Sequence, residues 1–183
     1  MLDAVGTFAA YVVAIGLVGA PFWWLAAMWR RRCVAAATRA AAELDGRYEP
    51  AGSRRFSGGT IHGRRDGRDV VVDFFTGHSA KPARTTTAMA TLTKPRSGRL
   101  LVRRTLLGGW DGADRLPAGR AALLERLDSF RHPRVEAWSN MLTVRVGGVL
   151  HDAARIVELA AITSGLASEL ERATGRPGGP GSR

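Results

Sequence analysis

An uncharged segment near the N-terminus constrains this chain more than any other feature of its sequence. Residues 4–29 contain no Asp, Glu, Lys or Arg, and they read AVGTFAAYVVAIGLVGAPFWWLAAMW. A helix of this length would be about 39 Å long, against about 30 Å for the hydrocarbon core of a bilayer. The segment therefore predicts a transmembrane helix, in which Pro21 marks either a kink or the point where the helix enters the interface.

The residues that flank this segment predict its orientation. Asp3 precedes it, and three arginines follow it directly: Arg30, Arg31 and Arg32. Positive residues favour the cytoplasmic side, and tryptophan favours the headgroup layer, which predicts membrane-interface positions for Trp23, Trp24 and Trp29. We expect a single-pass protein of the cell (inner) membrane, with the N-terminus outside and the C-terminal domain in the cytoplasm. A cleaved signal peptide would instead carry its positive residues ahead of the apolar segment.

The positive charge is concentrated in the first half of the chain. The 27 basic and 16 acidic residues give a net charge of +11. Residues 30–104 alone carry a net charge of +11, whereas residues 105–183 carry +1. All the basic residues are arginines except Lys81 and Lys94, a bias that suggests a GC-rich bacterial source. The lone cysteine, Cys33, excludes an internal disulfide.

Composition divides the chain into four parts. Residues 1–32 form the transmembrane anchor and its arginine flank. The alanine-rich residues 33–46, which end at a glycine, predict a juxtamembrane helix that serves as a stalk or a light packing element. Residues 47–174 predict a cytoplasmic α+β domain. The Gly- and Pro-rich residues 175–183 predict a disordered tail.

Alternating apolar residues predict the strands of the domain. An Asp-Gly turn predicts a hairpin between strands at 60–64 and 68–75. Two further strands, predicted at 84–93 and 99–107 with a turn at 94–98, complete a four-stranded antiparallel meander, with a short preceding strand at 47–50 as an option. A second hairpin is predicted from strands at 135–138 and 141–146 about Ser139-Asn140.

Two amphipathic helices complete the predicted fold. The first opens near Pro117, and its leucines recur at helical spacing. The second opens after Asp152, a natural N-cap, and its apolar stripe includes Ile156 and Leu159. The predicted fold is thus α+β: a transmembrane helix, then an antiparallel sheet with both amphipathic helices on one face.

No motif in the sequence predicts catalysis. The four histidines lack metal-ligand spacing, and the glycine-rich stretches fit no phosphate-binding loop. Asp69 and Asp73 share a strand face but lie about 13 Å apart, too far for a shared acid–base pair. We therefore expect no catalytic, cofactor-binding or metal-binding residues, and a protein that is not an enzyme.

The basic character of the first half is the main indication of function. The candidate surface for an anionic partner consists of five arginines: Arg64, Arg65, Arg68, Arg103 and Arg104. The expected partners are the lipid bilayer and a protein that binds either the domain or the transmembrane helix. Nucleic acid is not expected, because few aromatic residues are interleaved with the cations.

These features favour a membrane-anchored, non-catalytic binding or scaffold module whose basic surface faces anionic lipid or an acidic partner. Three alternatives stay open. The chain could be an accessory subunit of a larger membrane complex, held through its transmembrane helix. It could be an enzyme with an unrecognised site, or its basic surface could simply be solvated.

Overall fold

The computed structural model describes residues 2–51, 58–76, 84–105, 108–117 and 120–175, with side chains from residue 16 onward except 17, 75 and 175. In chain order the elements are helix α1 (Leu2–Glu43), strands β1 (Arg47–Glu49), β2 (Gly59–Arg65), β3 (Arg68–Thr76), β4 (Arg84–Arg104) and β5 (Trp110–Asp111), a 3₁₀ turn (Ala113–Arg115), helix α2 (Ala121–Asp128), strand β6 (Arg134–Gly147) and helix α3 (Ala153–Gly175). This order confirms the α+β class. The predicted disordered tail, beyond Gly175, lies outside the described residues.

The strands form one antiparallel sheet in the order β1-β2-β3-β4-β6, and β5 pairs with the end of β4. The predicted hairpin is confirmed as β2–β3. Asp66 and Gly67 at its tip have φ values of 52° and 75°, which are typical of the two-residue turns that match strand twist. The β2–β3 hairpin is therefore a local consequence of the sequence.

β4 is a single strand of 21 residues, so the prediction of two strands joined by a turn at 94–98 is wrong. Its pairing with β6 continues on both sides, with Thr91 opposite Met141 before the predicted turn and Leu100 opposite Ala137 after it. The chain advances nine positions along β4 but four along β6 between these pairs, and register shifts absorb the difference. Such a bulge tolerates the proline and glycine that suggested a turn.

β6 is likewise one strand, so the prediction of a second hairpin about Ser139-Asn140 is wrong. Both halves of β6 pair with β4. The buried residues have odd numbers before Ser139 and even numbers after it: Val135, Ala137, Leu142, Val144 and Val146. A turn shifts the alternation of buried and exposed residues by one position, as a bulge does. The sequence pattern therefore suggested a hairpin.

The core lies between one face of the sheet, called the core face, and the helices. α3 contacts β2, β3, β4 and β6, and α2 contacts α3. Fully buried residues of the sheet include Ile61, Val70, Val72, Ala88, Val102 and Leu142. The Asp152 carboxylate accepts a hydrogen bond from the Ala154 N–H at 3.1 Å, which confirms the predicted cap of α3.

The residues of the predicted juxtamembrane helix, 33–46, correspond to the C-terminal part of α1, which packs in the core beside α2 and α3. Its buried stripe packs against α3, β1 and β2 and consists of Ala36, Ala37, Ala40, Ala41 and Leu44. A Cβ atom placed on Gly63 of β2 would lie only 2.6 Å from the Leu44 Cβ. The helix can therefore approach the sheet this closely because Gly63 has no side chain.

The predicted transmembrane segment, residues 4–29, forms the N-terminal part of the same continuous helix, with Pro21 inside it. Within the part of the chain that the structure describes, no helix is both long enough and apolar enough to cross a membrane.

Candidate functional site

The N-terminal part of α1 exposes a group of large apolar side chains, hereafter the apolar collar: Val18, Phe22, Trp23, Trp24, Leu25 and Trp29. Trp23 is 80% exposed, Phe22 70% and Trp24 64%. Successive helical residues are about 100° apart, so the four consecutive residues 22–25 project on every side of the helix. A helix that is apolar on all sides suits an apolar environment better than water.

The arginine flank follows the apolar collar directly. Arg30, Arg31 and Arg32 are all exposed. The structure thus brings the predicted membrane-interface residues together on one helical segment about 15 Å long. Trp29 marks the point where the helix meets the domain, because the Arg84 guanidinium carbon lies 5.6 Å from the centroid of its ring. This distance is within the range of a cation–π interaction.

Cys33, one turn further along α1, is half-buried. Burial raises the pKa of its thiol, and burial together with the nearby Cys33 raises the pKa of Tyr48. Reactive thiols have lowered pKa values, so this environment favours the inert, protonated form of Cys33. The Tyr48 hydroxyl donates a hydrogen bond to the Gly58 carbonyl and thereby holds the start of β2 beside β1.

Each of the five arginines in the predicted anionic-partner surface is paired with a carboxylate. The N···O distances are 3.5 Å for Arg64–Asp69, 3.9 Å for Arg65–Asp66, 2.6 Å for Arg68–Glu171, 3.1 Å for Arg103–Asp111 and 3.3 Å for Arg104–Asp128. A neighbouring carboxylate therefore largely balances the positive charge of each of these arginines.

The structure does not bring these five arginines onto one surface. Side chains alternate along a strand, so Arg64 and Arg103 lie on the outer face of the sheet, away from the helices. By the same alternation, Arg65, Arg68 and Arg104 lie on the core face of the sheet, at the ends of their strands. The Arg68 guanidinium is directed to α3, where it binds Glu171.

The outer face of the sheet is mixed in character. Val71, Met89 and Thr143 form a half-buried row across β3, β4 and β6. Charged residues of both signs occupy other positions of this face: Arg64, Asp69, Asp73, Arg103, Glu136 and Arg145. Trp138, which is 69% exposed, and Met141 lie on either side of the β6 bulge. Neither residue was among the predicted site residues, although alternation with the buried Ala137 and Leu142 is the signal that places both of them on this face.

The histidines and a cleft beside α2 are further candidate sites among the described residues. None of the described residues form a group of three or more potential metal ligands. His62, His132 and His151 are exposed, and His62 lies 3.6 Å from Glu49, whereas His78 is outside the described residues. A shallow cleft of about 360 Å³ lies beside α2, and its lining is Trp110, Arg120, Ala121, Leu124, Glu125 and Asp128. This lining has no arrangement of nucleophile and base.

No protein-family model and no curated protein matches this sequence. Among solved structures, the crystal structure of the mycobacterial trehalose monomycolate transport factor A, TtfA, is similar in fold. The TM-score is 0.50, and the alignment covers 78% of this chain and 94% of that chain at 13% sequence identity. The similarity supports a shared fold and no more.

Proposed function

We propose that this chain is a membrane-anchored, non-catalytic binding module whose α+β domain lies at the surface of the bilayer. The observation that carries the proposal is the apolar collar, which is exposed on every side of α1 and is followed at once by three exposed arginines. Aromatic rings beside cations form the usual boundary between the hydrocarbon and the headgroups of a bilayer.

Leaving the side chains of the apolar collar in water costs free energy. Burying one large apolar side chain is worth about 1.5–3 kcal/mol. Insertion of the collar into a bilayer would recover this energy for Phe22, Trp23 and Trp24 at once. The uncharged sequence continues on the N-terminal side to residue 4, which provides enough length for a span.

The orientation that we propose places the N-terminus outside and the domain in the cytoplasm of the cell (inner) membrane. It rests on the arginine flank, because Lys and Arg next to a span favour the cytoplasmic side. The reverse orientation would require three consecutive arginines to be translocated.

Labelling of single cysteines tests both the anchor and its orientation. With Cys33→Ser as the background, Leu2→Cys should react with a membrane-impermeant maleimide in spheroplasts. Ala173→Cys, at an exposed position of α3, should react only after permeabilisation. Labelling of Ala173→Cys in intact spheroplasts would refute the proposed orientation, and recovery of both variants in the soluble fraction would refute the anchor.

The binding role is proposed because the surface chemistry favours contacts over catalysis. The described cleft is shallow, whereas the apolar collar and the arginine flank present a large surface that suits lipid. The fold that the chain shares with a transport factor is compatible with a membrane-associated role and transfers no substrate to it.

A second candidate is an accessory subunit of a larger membrane complex, held through α1. It is favoured by the exposure of the apolar collar on all sides, which leaves room for a neighbouring helix. Replacement of residues 4–29 by an unrelated hydrophobic helix distinguishes the two candidates. An accessory subunit would lose its co-purifying partners, whereas a lipid-binding module would keep its membrane association and surface contacts.

A further inference from the structure

The arginines of the domain fall into two classes. Those predicted to bind an anionic partner are neutralised by neighbouring carboxylates, as described above. Among the described residues of the domain, six arginines form no ion pair with a carboxylate, and four of these are exposed: Arg84, Arg115, Arg131 and Arg145. An anionic surface attracts uncompensated charge, so these exposed arginines are better candidates than the predicted five, and their position decides which of them can reach a membrane.

Backbone contacts bring Arg84 and Arg131 to the same end of the domain. The Gly148 N–H donates to the Arg84 carbonyl at 2.7 Å, and the adjacent Gly147 N–H donates to the Arg131 carbonyl at 2.6 Å. The two arginines therefore lie on either side of the turn that follows β6, although 47 positions separate them in the sequence.

This end of the domain is also where α1 leaves it. The Arg84 guanidinium lies over Trp29, the last residue of the apolar collar. From Trp29 the helix runs back along the domain to Leu44, which packs against Gly63 near the opposite end of β2. A bilayer that holds the apolar collar would consequently face the end that carries Arg84 and Arg131.

Three carboxylates toward this end reduce its positive charge but do not cancel it. Asp152, which caps α3, lies near the Gly148 turn, and Glu49 and Asp73 lie opposite Thr60 toward the same end of the sheet. Arg30, Arg31 and Arg32 add three exposed positive charges on the neighbouring turn of α1. The net charge of the surface that faces the proposed membrane is therefore positive.

We propose that Arg84 and Arg131 dock the domain onto anionic lipid headgroups, as a second contact beside the arginine flank of α1. This inference rests on the proposed function, because it requires the apolar collar to be in the bilayer. Each arginine near an anionic membrane surface contributes about a five-fold increase in binding, so the pair contributes about thirty-fold.

The test uses the full chain reconstituted in phosphatidylcholine vesicles with or without phosphatidylglycerol. A fluorophore on His151→Cys in the Cys33→Ser background reports the distance from this end of the domain to a headgroup-linked quencher. We expect stronger quenching with phosphatidylglycerol. The double variant R84Q/R131Q should lower the equilibrium constant for docking of the domain onto the membrane by about thirty-fold. The matched control R64Q/R103Q removes the same charge from two arginines that are each 64% exposed, and it should quench like the parent chain.

Quenching that is independent of phosphatidylglycerol, or equally reduced in both double variants, would overturn the inference. Flotation of the same samples separates this failure from failure of the proposed function. If the chain floats with the vesicles but quenching does not respond to lipid charge, only the docking of Arg84 and Arg131 is wrong. If the chain does not float with either vesicle, the anchor itself is absent and both proposals fail.

Discussion

Arg68 at the start of β3 holds Glu171 near the end of α3 in a two-pronged ion pair. The Nη1–Oε1 and Nη2–Oε2 distances are 3.0 and 2.6 Å, and the two side chains are only 14% and 19% exposed. The Thr93 N–H also donates to Glu171 Oε1 at 2.6 Å, and Arg68 Nη1 donates to the Thr91 carbonyl at 2.5 Å. This cluster joins β3, β4 and α3, so the role of Arg68 is structural.

Glu171→Gln should lower the free energy of unfolding by about 2 kcal/mol at neutral pH, because hydrogen bonds to charged groups contribute about that much. The hydrogen bonds from Arg68, together with that from Thr93, lower the pKa of Glu171 from 4.5 to about 2. A lowered pKa stabilises the fold above the pKa of the unfolded chain, and this contribution is lost as the pH falls toward 2. The difference between parent and variant should therefore shrink between pH 4.5 and 2.

Urea titrations of the full chain in a non-ionic detergent, repeated across this pH range, measure the effect. Glu169→Gln is the matched control, since Glu169 pairs with the exposed Arg172 on the surface of the same helix. A difference between Glu171→Gln and the parent that does not vary with pH would contradict the role assigned to the ion pair.

Gly63→Ala should destabilise the chain by about 1–3 kcal/mol, the usual cost of overpacking. The added methyl group would meet the Leu44 Cβ at 2.6 Å and would push the end of α1 away from β2. Gly109→Ala is the control, because the nearest atom to its added Cβ is 3.6 Å away. Thermal unfolding followed by circular dichroism compares the two, and equal midpoints would mean that α1 does not pack against β2 as described.

Cys33 should react slowly with alkylating reagents. The midpoint pH of its reaction should be higher than that of an ordinary thiol. The physical reason is burial, which raises the pKa of the Cys33 thiol. Iodoacetamide labelling rates across a pH series measure the midpoint, and the same chain unfolded in urea supplies the reference. A midpoint in the folded chain at or below that of the unfolded chain would contradict the packing of α1 around Cys33.

Arg155→Met should cost about 2 kcal/mol of stability, because Arg155 fastens the segment before β6 to α3. Its guanidinium carbon lies 3.9 Å from the Phe130 ring centroid, and its Nη2 donates to the Ser129 carbonyl at 2.7 Å. Arg155 also pairs with Glu158 at 2.8 Å, whereas Arg126 pairs with the same carboxylate at 3.8 Å, so Arg126→Met should cost less than about 1 kcal/mol. Equal losses in a thermal unfolding series would show that Arg155 makes no special contribution.

The features that could be predicted from the sequence depend on near neighbours in the chain. The β2–β3 hairpin follows from Asp66-Gly67, which fixes the turn, and the cap of α3 follows from Asp152 alone. By contrast, the continuity of β4 through residues 94–98 depends on pairing with β6, which is distant in the sequence. Local turn signals cannot reveal a bulge that a remote strand stabilises.

For the candidate site too, only the features that depend on near neighbours in the chain could be predicted. The membrane-interface residues are consecutive or nearly so, and a helix brings them together automatically. The charge balance of the domain is not local, because Arg68 finds its carboxylate 103 residues away at Glu171. Counting charges along the chain therefore identified a basic half, but not which arginines are neutralised.

The most direct test of the account is alkaline carbonate extraction of membranes from cells that express the full chain. The chain should stay in the membrane pellet, whereas Val12→Asp/Ile15→Asp should release it, since each aspartate costs about 2.5–3.5 kcal/mol at the centre of a span. Trp138→Asp/Met141→Asp adds the same charge to exposed positions of the domain and should leave the chain in the pellet. Recovery of the folded parent chain in the carbonate supernatant would contradict membrane anchoring.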